Sequence, residues 1–128
     1  MMKKVLLPLL SILFFMNTSI SAFAYTDSQL EEATAIIEES EQQINNEIDK
    51  AVSKSVVILD RYERGLLSLT EKDQKIQTLI SQLIHKTNQI AQKTQKKCNR
   101  IGVEVQCTYI YINIDGQEVA IDPFIIVG

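Results

Sequence analysis

Glycine, proline and aromatic residues are scarce in the 128-residue sequence, which holds four Gly, two Pro and no Trp. Such a composition argues against long linkers and low-complexity tracts, because these segments are built largely from glycine, proline and small polar residues. It also argues against a second domain joined by a linker. With the first 24 residues set aside as a leader, residues 25–128 have the length of one domain.

Histidine and cysteine are equally rare, with one His and two Cys. The sequence has no zinc motif, no glycine-rich phosphate loop and no nucleophile elbow. His85 has no serine, cysteine or carboxylate at a spacing that indicates catalysis, and the glutamates between residues 31 and 41 are typical of a solvated helix face. We therefore expect a protein that is not an enzyme, with no catalytic, metal or cofactor site and no small-molecule substrate.

The first 24 residues match a cleavable signal peptide. Lys3 and Lys4 form a basic head, residues 5–16 form an apolar run, and residues 22–24, Ala-Phe-Ala, form a small-x-small cleavage site. The apolar run is shorter than the roughly 20 residues that a membrane-spanning helix needs. We expect cleavage after Ala24 and export to the periplasm or the medium, with an uncleaved anchor as the minority alternative.

The chain from residue 25 onward is acidic. Without the two lysines of the leader, it holds 11 basic and 16 acidic side chains, a net charge of −5. Nucleic acid binding requires a concentrated basic surface. We therefore exclude nucleic acid as a partner.

Two long segments carry apolar residues at helical spacing, which predicts helices over residues 28–63 and 70–97. Apolar residues recur every seven positions at Leu30, Ile37, Ile44, Ala51 and Ile58 in the first segment, and at Ile76, Leu83 and Ile90 in the second. Ser28 and Thr70 are the expected N-caps, since each is followed three positions later by a carboxylate. Each helix therefore has one apolar face that must be buried against another element.

The charge pattern favours an antiparallel hairpin of these two helices. Residues 27–49 hold eight acids and no base, and residues 74–100 hold six bases and no acid. A reversal around residues 65–70 lays the two tracts side by side and sets Ile44 near Ala91. The helix dipoles explain the same pattern without pairing, and a swapped dimer would satisfy the same stripes and charges.

The turn of this hairpin is apolar, with Tyr62, Leu66, Leu67 and Leu69 next to the apolar residues 56–59. In one interpretation these leucines cap their own hairpin or bury against a second copy. In the other they form a contact surface for another protein or for a membrane interface. We expect these four residues to contact a partner, and we expect that partner to be a protein or a second copy.

The two cysteines, Cys98 and Cys107, lie at the end of the second helix and the beginning of the strand region. In an exported chain, two cysteines usually form one disulfide. A bridge across a loop of this length stabilises the folded state by about 3 kcal/mol. We expect such a bridge to tie the second helix to the strands.

Beyond the second helix the apolar period changes from 3.6 to 2, which predicts a β-hairpin region over residues 103–127. Asp-Gly at positions 115 and 116 is a favoured two-residue turn, and it sets Ile112 opposite Val119. The apolar face of this hairpin is expected to cover the first turns of helix 1. Residues 124–128 are too apolar for a free tail, so we expect a third strand, a plug, or pairing with another molecule.

These features predict an α+β fold: a long antiparallel two-helix hairpin, similar to a coiled coil, followed by a small disulfide-linked C-terminal β-hairpin. The function they favour is an exported, non-enzymatic interaction or assembly protein that acts through the helical hairpin and its apolar tip, with self-association among its contacts. The alternative is a small secreted effector or inhibitor that acts on a membrane or on an extracytoplasmic enzyme.

Overall fold

A computed structural model describes residues 25–121 and 124–127, so the predicted signal peptide lies outside the described residues. In chain order the elements are α1 (Asp27–Glu63), α2 (Leu69–Arg100), β1 (Glu104–Cys107), β2 (Ile110–Ile114), β3 (Gln117–Ile121) and β4 (Phe124–Val127). The predicted α+β order, two long helices followed by antiparallel strands, is confirmed.

Each helix begins with a capping box, which lies two residues before the predicted cap. At α1 the Thr26 hydroxyl accepts from the Gln29 amide at 3.1 Å, and the Gln29 side chain accepts from the Thr26 amide at 2.9 Å. Ser68 and Glu71 make the same pair of bonds at the start of α2. Hydrogen bonding of the Glu71 carboxylate to Ser68, chiefly to its backbone amide, lowers the pKa of Glu71, because it stabilises the charged form.

Each helix ends in a Schellman motif, with a glycine in the left-handed region. Gly65 (φ 77°) follows α1 and Gly102 (φ 82°) follows α2. After α2, the amides of Gly102 and Val103 donate to the carbonyls of Asn99 and Cys98, both at 3.0 Å. Val103 and Cys98 are both fully buried. The motif therefore turns the chain back toward the core and fixes Cys98 within it.

The two helices pack antiparallel through small and polar residues as well as apolar ones. Ser40 Oγ and Thr94 Oγ1 share a hydrogen bond across the interface, and each hydroxyl also lies within hydrogen-bond distance of a carbonyl of its own helix, Ile36 or Ile90. Two hydroxyl protons serve these three contacts, so one hydroxyl donates across the interface while the other donates within its helix. This buried pair helps to fix the register.

The predicted register of the helical hairpin agrees with these contacts and with an ion pair between Lys86 Nζ and Glu47 Oε1 at 3.4 Å. Both partners are partly exposed, so the pair contributes at most about 1 kcal/mol. The register is set mainly by the apolar core. Its helical part consists of Ala33, Ile37, Ile44, Ile48 and Ala51 from α1, and Ile76, Leu79, Ile80, Leu83, Ala91 and Cys98 from α2.

The four strands form two antiparallel ladders, β1 with β4 and β2 with β3. Both ladders follow one register, so together they form a single two-stranded ribbon, hereafter the ribbon. Thr108 and Tyr109 separate β1 from β2, and residues 122–123, which come between β3 and β4 in the sequence, lie outside the described residues. Position 123 is a proline, which has no N–H to donate to a ladder.

The predicted strand pairing is confirmed where it can be compared. Ile112 lies opposite Val119, and Asp115 (φ 51°) and Gly116 (φ 77°) both have the positive φ of a type I′ turn. The C-terminal segment matches none of the three expected arrangements, because β4 pairs with β1 of the same chain. It extends the hairpin and does not add a third strand beside it.

The ribbon runs along α2, which differs from the expected position over the first turns of helix 1. At one end the Glu104 amide donates to Tyr25 Oη at 3.2 Å. At the other end Lys72 Nζ lies 3.1 Å from Asp115 Oδ2, so the ribbon turn reaches the start of α2. Hydrogen bonds to Asp73 and Asp115 raise the pKa of Lys72. The expectation failed because the ribbon is about twice as long as a hairpin of β2 and β3 alone.

The predicted disulfide between Cys98 and Cys107 is wrong: the two cysteines are not bonded and are not close. Cys98 faces the core from the last turn of α2, whereas Cys107 is half-buried beside Gln95, whose amide lies 3.7 Å from its sulfur. The extended backbone of β1 advances about 3.3 Å per residue, which carries Cys107 away from the helix end. The link between α2 and the strands is made by the Schellman motif instead.

Replacing Ile114, which is 1% exposed, with alanine should lower the free energy of unfolding by about 2 to 4 kcal/mol, because it leaves a cavity between ribbon and helices. Urea unfolding followed by circular dichroism measures this loss. The matched control is Tyr111→Ala on the outer face of the same strand, expected to cost less than about 1 kcal/mol. Equal losses would contradict this assignment of the two faces.

Cysteine labelling tests the unbridged arrangement. Burial raises the pKa of the Cys98 thiol to about 11, so at pH 8 the folded protein holds it as an inaccessible, unreactive thiol. We expect iodoacetamide to label both cysteines in unfolded protein without any reductant, and to spare Cys98 in folded protein, as measured by peptide mass spectrometry. If labelling of the unfolded protein requires a reductant, the two cysteines are bridged and the unbridged arrangement is wrong.

Candidate functional site

Large apolar side chains are exposed mainly at one end of the helical hairpin. We define the tip as residues 62–69. Leu66 is 68% exposed and Leu69 is 55% exposed, and Val56 and Val57 on the last turns of α1 are exposed to a similar degree. With Tyr62, these are five of the eight exposed large hydrophobic residues in the described chain. Clusters of this kind mark contact surfaces more often than isolated exposed residues do.

The backbone of the tip holds Leu66 outward. The Gly65 amide donates to the Tyr62 carbonyl at 3.0 Å, and the Leu66 amide donates to the Arg61 carbonyl at 2.9 Å. This is the same Schellman motif that ends α2, where the equivalent residue, Val103, is fully buried. The two motifs thus share a backbone geometry but place their apolar residue in opposite environments.

Leu67 is half-buried and faces a groove of about 580 Å³ between the two helices. The apolar part of the groove is formed by Val57, Ile58, Leu67 and Leu79. A concavity of this size with an apolar floor is within the range of ligand and peptide sites. The tip and the groove are adjacent, so one occupant can contact both.

All the ionisable side chains that line this groove are cations: Lys54 and Arg61 from α1, and Lys75 from α2. Its other polar residues are two glutamines and a threonine. Within the described part of the chain, no carboxylate lies within ion-pair distance of any of these three cations. We call this site the basic groove.

Tyr62 does not line the groove; it contacts Lys72, which in turn contacts the ribbon. Lys72 Nζ lies 5.3 Å from the centroid of the Tyr62 ring, a cation–π contact. The same ammonium group pairs with Asp115 at the ribbon turn. Tyr62 is accordingly only 37% exposed.

The four residues predicted to contact a partner therefore lie in three settings. Leu66 and Leu69 point to solvent, Leu67 lines the basic groove, and Tyr62 packs under Lys72. No prediction made from the sequence included the cations of the groove. Lys54 and Arg61 are seven residues apart, and this helical spacing is the signal that could have found them.

The described residues 25–121 and 124–127 contain no group of three or more His, Cys, Asp or Glu side chains placed to hold a metal ion. No helix among them is long and apolar enough to cross a bilayer. His85 is exposed on α2. Comparisons with protein-family models, with curated proteins and with solved structures find no match for this chain.

Proposed function

We propose that this chain is an exported, non-enzymatic interaction protein that binds another protein or a second copy through the tip of its helical hairpin. The observation that carries the proposal is the exposure of Leu66 and Leu69 at the end of a long helical hairpin. Burying an exposed leucine contributes about 1.5 to 3 kcal/mol to association. A few such residues suffice to anchor an interface.

The tip is rigidly presented. Capping at Ser68 and the Schellman motif at Gly65 fix both sides of the turn through backbone hydrogen bonds. A contact residue that is held in place before binding loses less conformational entropy when it is buried. This preorganisation favours a docking role over a loop that orders only on contact.

The ribbon leaves the tip accessible. Its turn at Asp115 reaches Lys72, four residues after the N-cap of α2, so the tip extends beyond the covered part of the hairpin. The apolar residues there are not needed to bury the ribbon, which packs against residues further along α2. They are free to contact a partner.

A second candidate function is a small effector or inhibitor that acts on a membrane or on an extracytoplasmic enzyme. It is favoured by the proximity of leucines and cations, a combination typical of segments that bind anionic membrane surfaces. Binding of the chain to vesicles of phosphatidylglycerol, dependent on Leu66 and Leu67, would support this function.

Export is part of the proposal and is supported by the sequence of residues 1–24, not by the cysteines. Expression of residues 1–128 in a bacterial host should yield an extracytoplasmic product whose intact mass is that of a chain beginning at Tyr25. Ala24→Arg is the control, because a large charged side chain at the cleavage site should leave the leader attached. A product that retains Met1 and stays in the cytoplasm would contradict export.

The double substitution Leu66→Ser and Leu67→Ser should abolish association and leave helicity unchanged, because it removes apolar contact area from a turn whose backbone bonds remain. Light scattering on a sizing column, over a range of concentrations, measures association, and circular dichroism measures helicity. The matched control is Tyr109→Ser with Tyr111→Ser, two residues exposed on the ribbon's outer face.

Three outcomes are informative. Lost association with unchanged helicity supports the tip as the contact surface. Loss of helical signal would show that the leucines belong to the fold. If the leucine variant still associates and the tyrosine variant does not, the contact surface lies on the ribbon.

A further inference from the structure

We infer that the basic groove of one copy receives the first turns of α1 from a second copy. The surface that would enter the groove is one stripe of α1, which we call the acidic face: Asp27, Leu30, Glu31, Thr34, Ala35 and Glu38. This inference rests on the proposed function, because it names the partner that binds beside the tip.

Charge complementarity is the first argument. Every ionisable side chain of the acidic face is a carboxylate, and every ionisable side chain lining the basic groove is a cation. Glu31 and Glu38 are exposed, and within the described chain neither forms an ion pair. Surfaces of opposite sign steer two molecules together and fix how they dock.

The spacing of the charges is the second argument. Glu31 and Glu38 are seven residues apart on α1, and so are Lys54 and Arg61. Seven residues are two helical turns, or about 10 Å along the axis. One register of a helix lying in the groove therefore aligns both carboxylates with both cations.

Shape is the third argument. The centre of the acidic face holds small side chains, Thr34 and Ala35, beside Leu30. Small residues let a helix approach closely, and the floor of the groove is apolar at Val57 and Leu79. An amphipathic helix lying in an apolar groove between two helices is a common mode of recognition.

The two surfaces cannot meet within one chain. Glu31 and Lys54 are separated by 23 residues of one continuous helix, or about 35 Å. A contact between them must join two copies, the tip region of one to the open end of the next. Such a contact leaves one groove and one acidic face unoccupied at the two ends, so it continues into a linear assembly unless it closes into a ring.

Charge reversal tests the inference on the exported chain, which begins at Tyr25. One variant carries Lys54→Glu and Arg61→Glu, and the other carries Glu31→Lys and Glu38→Lys. Each variant alone should associate at least about tenfold more weakly than the wild type, since like charges then face each other. A mixture of the two should associate again, and so should a chain that carries all four substitutions.

Two control variants have the same charge change at the same spacing, outside both surfaces. Lys93→Glu with Arg100→Glu lies on α2, and Glu32→Lys with Glu39→Lys lies on α1; all four residues are exposed. Both controls should associate like the wild type. Sedimentation velocity measures the association, and circular dichroism confirms that every variant is folded. Raising the salt to about 1 M, where the Debye length is about 3 Å, should weaken the wild-type assembly.

The outcomes separate this inference from the proposed function. Restored association in the mixture and in the four-substitution chain supports the inference. Association that is lost with Leu66→Ser and Leu67→Ser but unaffected by either charge reversal would overturn the inference and leave the tip as a contact surface. A wild type that is monomeric at every concentration yet binds phosphatidylglycerol vesicles would overturn it in favour of a membrane surface.

Discussion

The structure depends on the burial of α2 between two partners, α1 and the ribbon. Helices in proteins take most of their stability from the packing of an apolar face, and an isolated two-stranded ribbon is marginal in water. Each element supplies one apolar face, and these faces meet in a single core cluster that includes residues from α1, α2 and all the strand pairs. Because every element needs the others, a fault in one face, such as a cavity at Ile114, weakens the whole fold.

This shared dependence also explains where the apolar surface remains. The ribbon begins at the open end of the hairpin and its turn reaches Lys72, so its length sets how much of the helices is covered. The tip lies beyond that limit, and Leu66 is exposed there because no element of the described chain reaches it. Val56 and Val57 are exposed as well, but at a level along the hairpin that the ribbon does pass, since Gln77 on α2 bonds Gln117 of the ribbon. The length of the ribbon thus accounts for the exposed tip and not for the exposed valines of α1.

The sequence carried enough information for the elements whose patterns are local and periodic. The seven-residue stripes located both helices and their register, and Asp115-Gly116 set the pairing of β2 with β3. The disulfide was wrong because cysteine pairing depends on side-chain direction, and Cys98 occupies the buried position of a Schellman motif. The path of the ribbon was missed because β4 pairs with β1 at long range, which no local pattern shows. The basic groove was missed although two of its cations, Lys54 and Arg61, have a helical spacing on α1; only the contribution of Lys75 from α2 depends on long-range packing.

Charge in this molecule is separated along the hairpin as well as across it. Pairing of acidic α1 with basic α2 accounts for contacts such as Glu47 with Lys86, midway along the helices. No ion pair of the described chain involves Glu31 and Glu38 at the open end, or Lys54 and Arg61 near the tip. All four side chains are exposed, so in a single copy they are solvated. The hairpin holds the two pairs about 35 Å apart, and this length is the reason why the inferred contact between them requires a second copy.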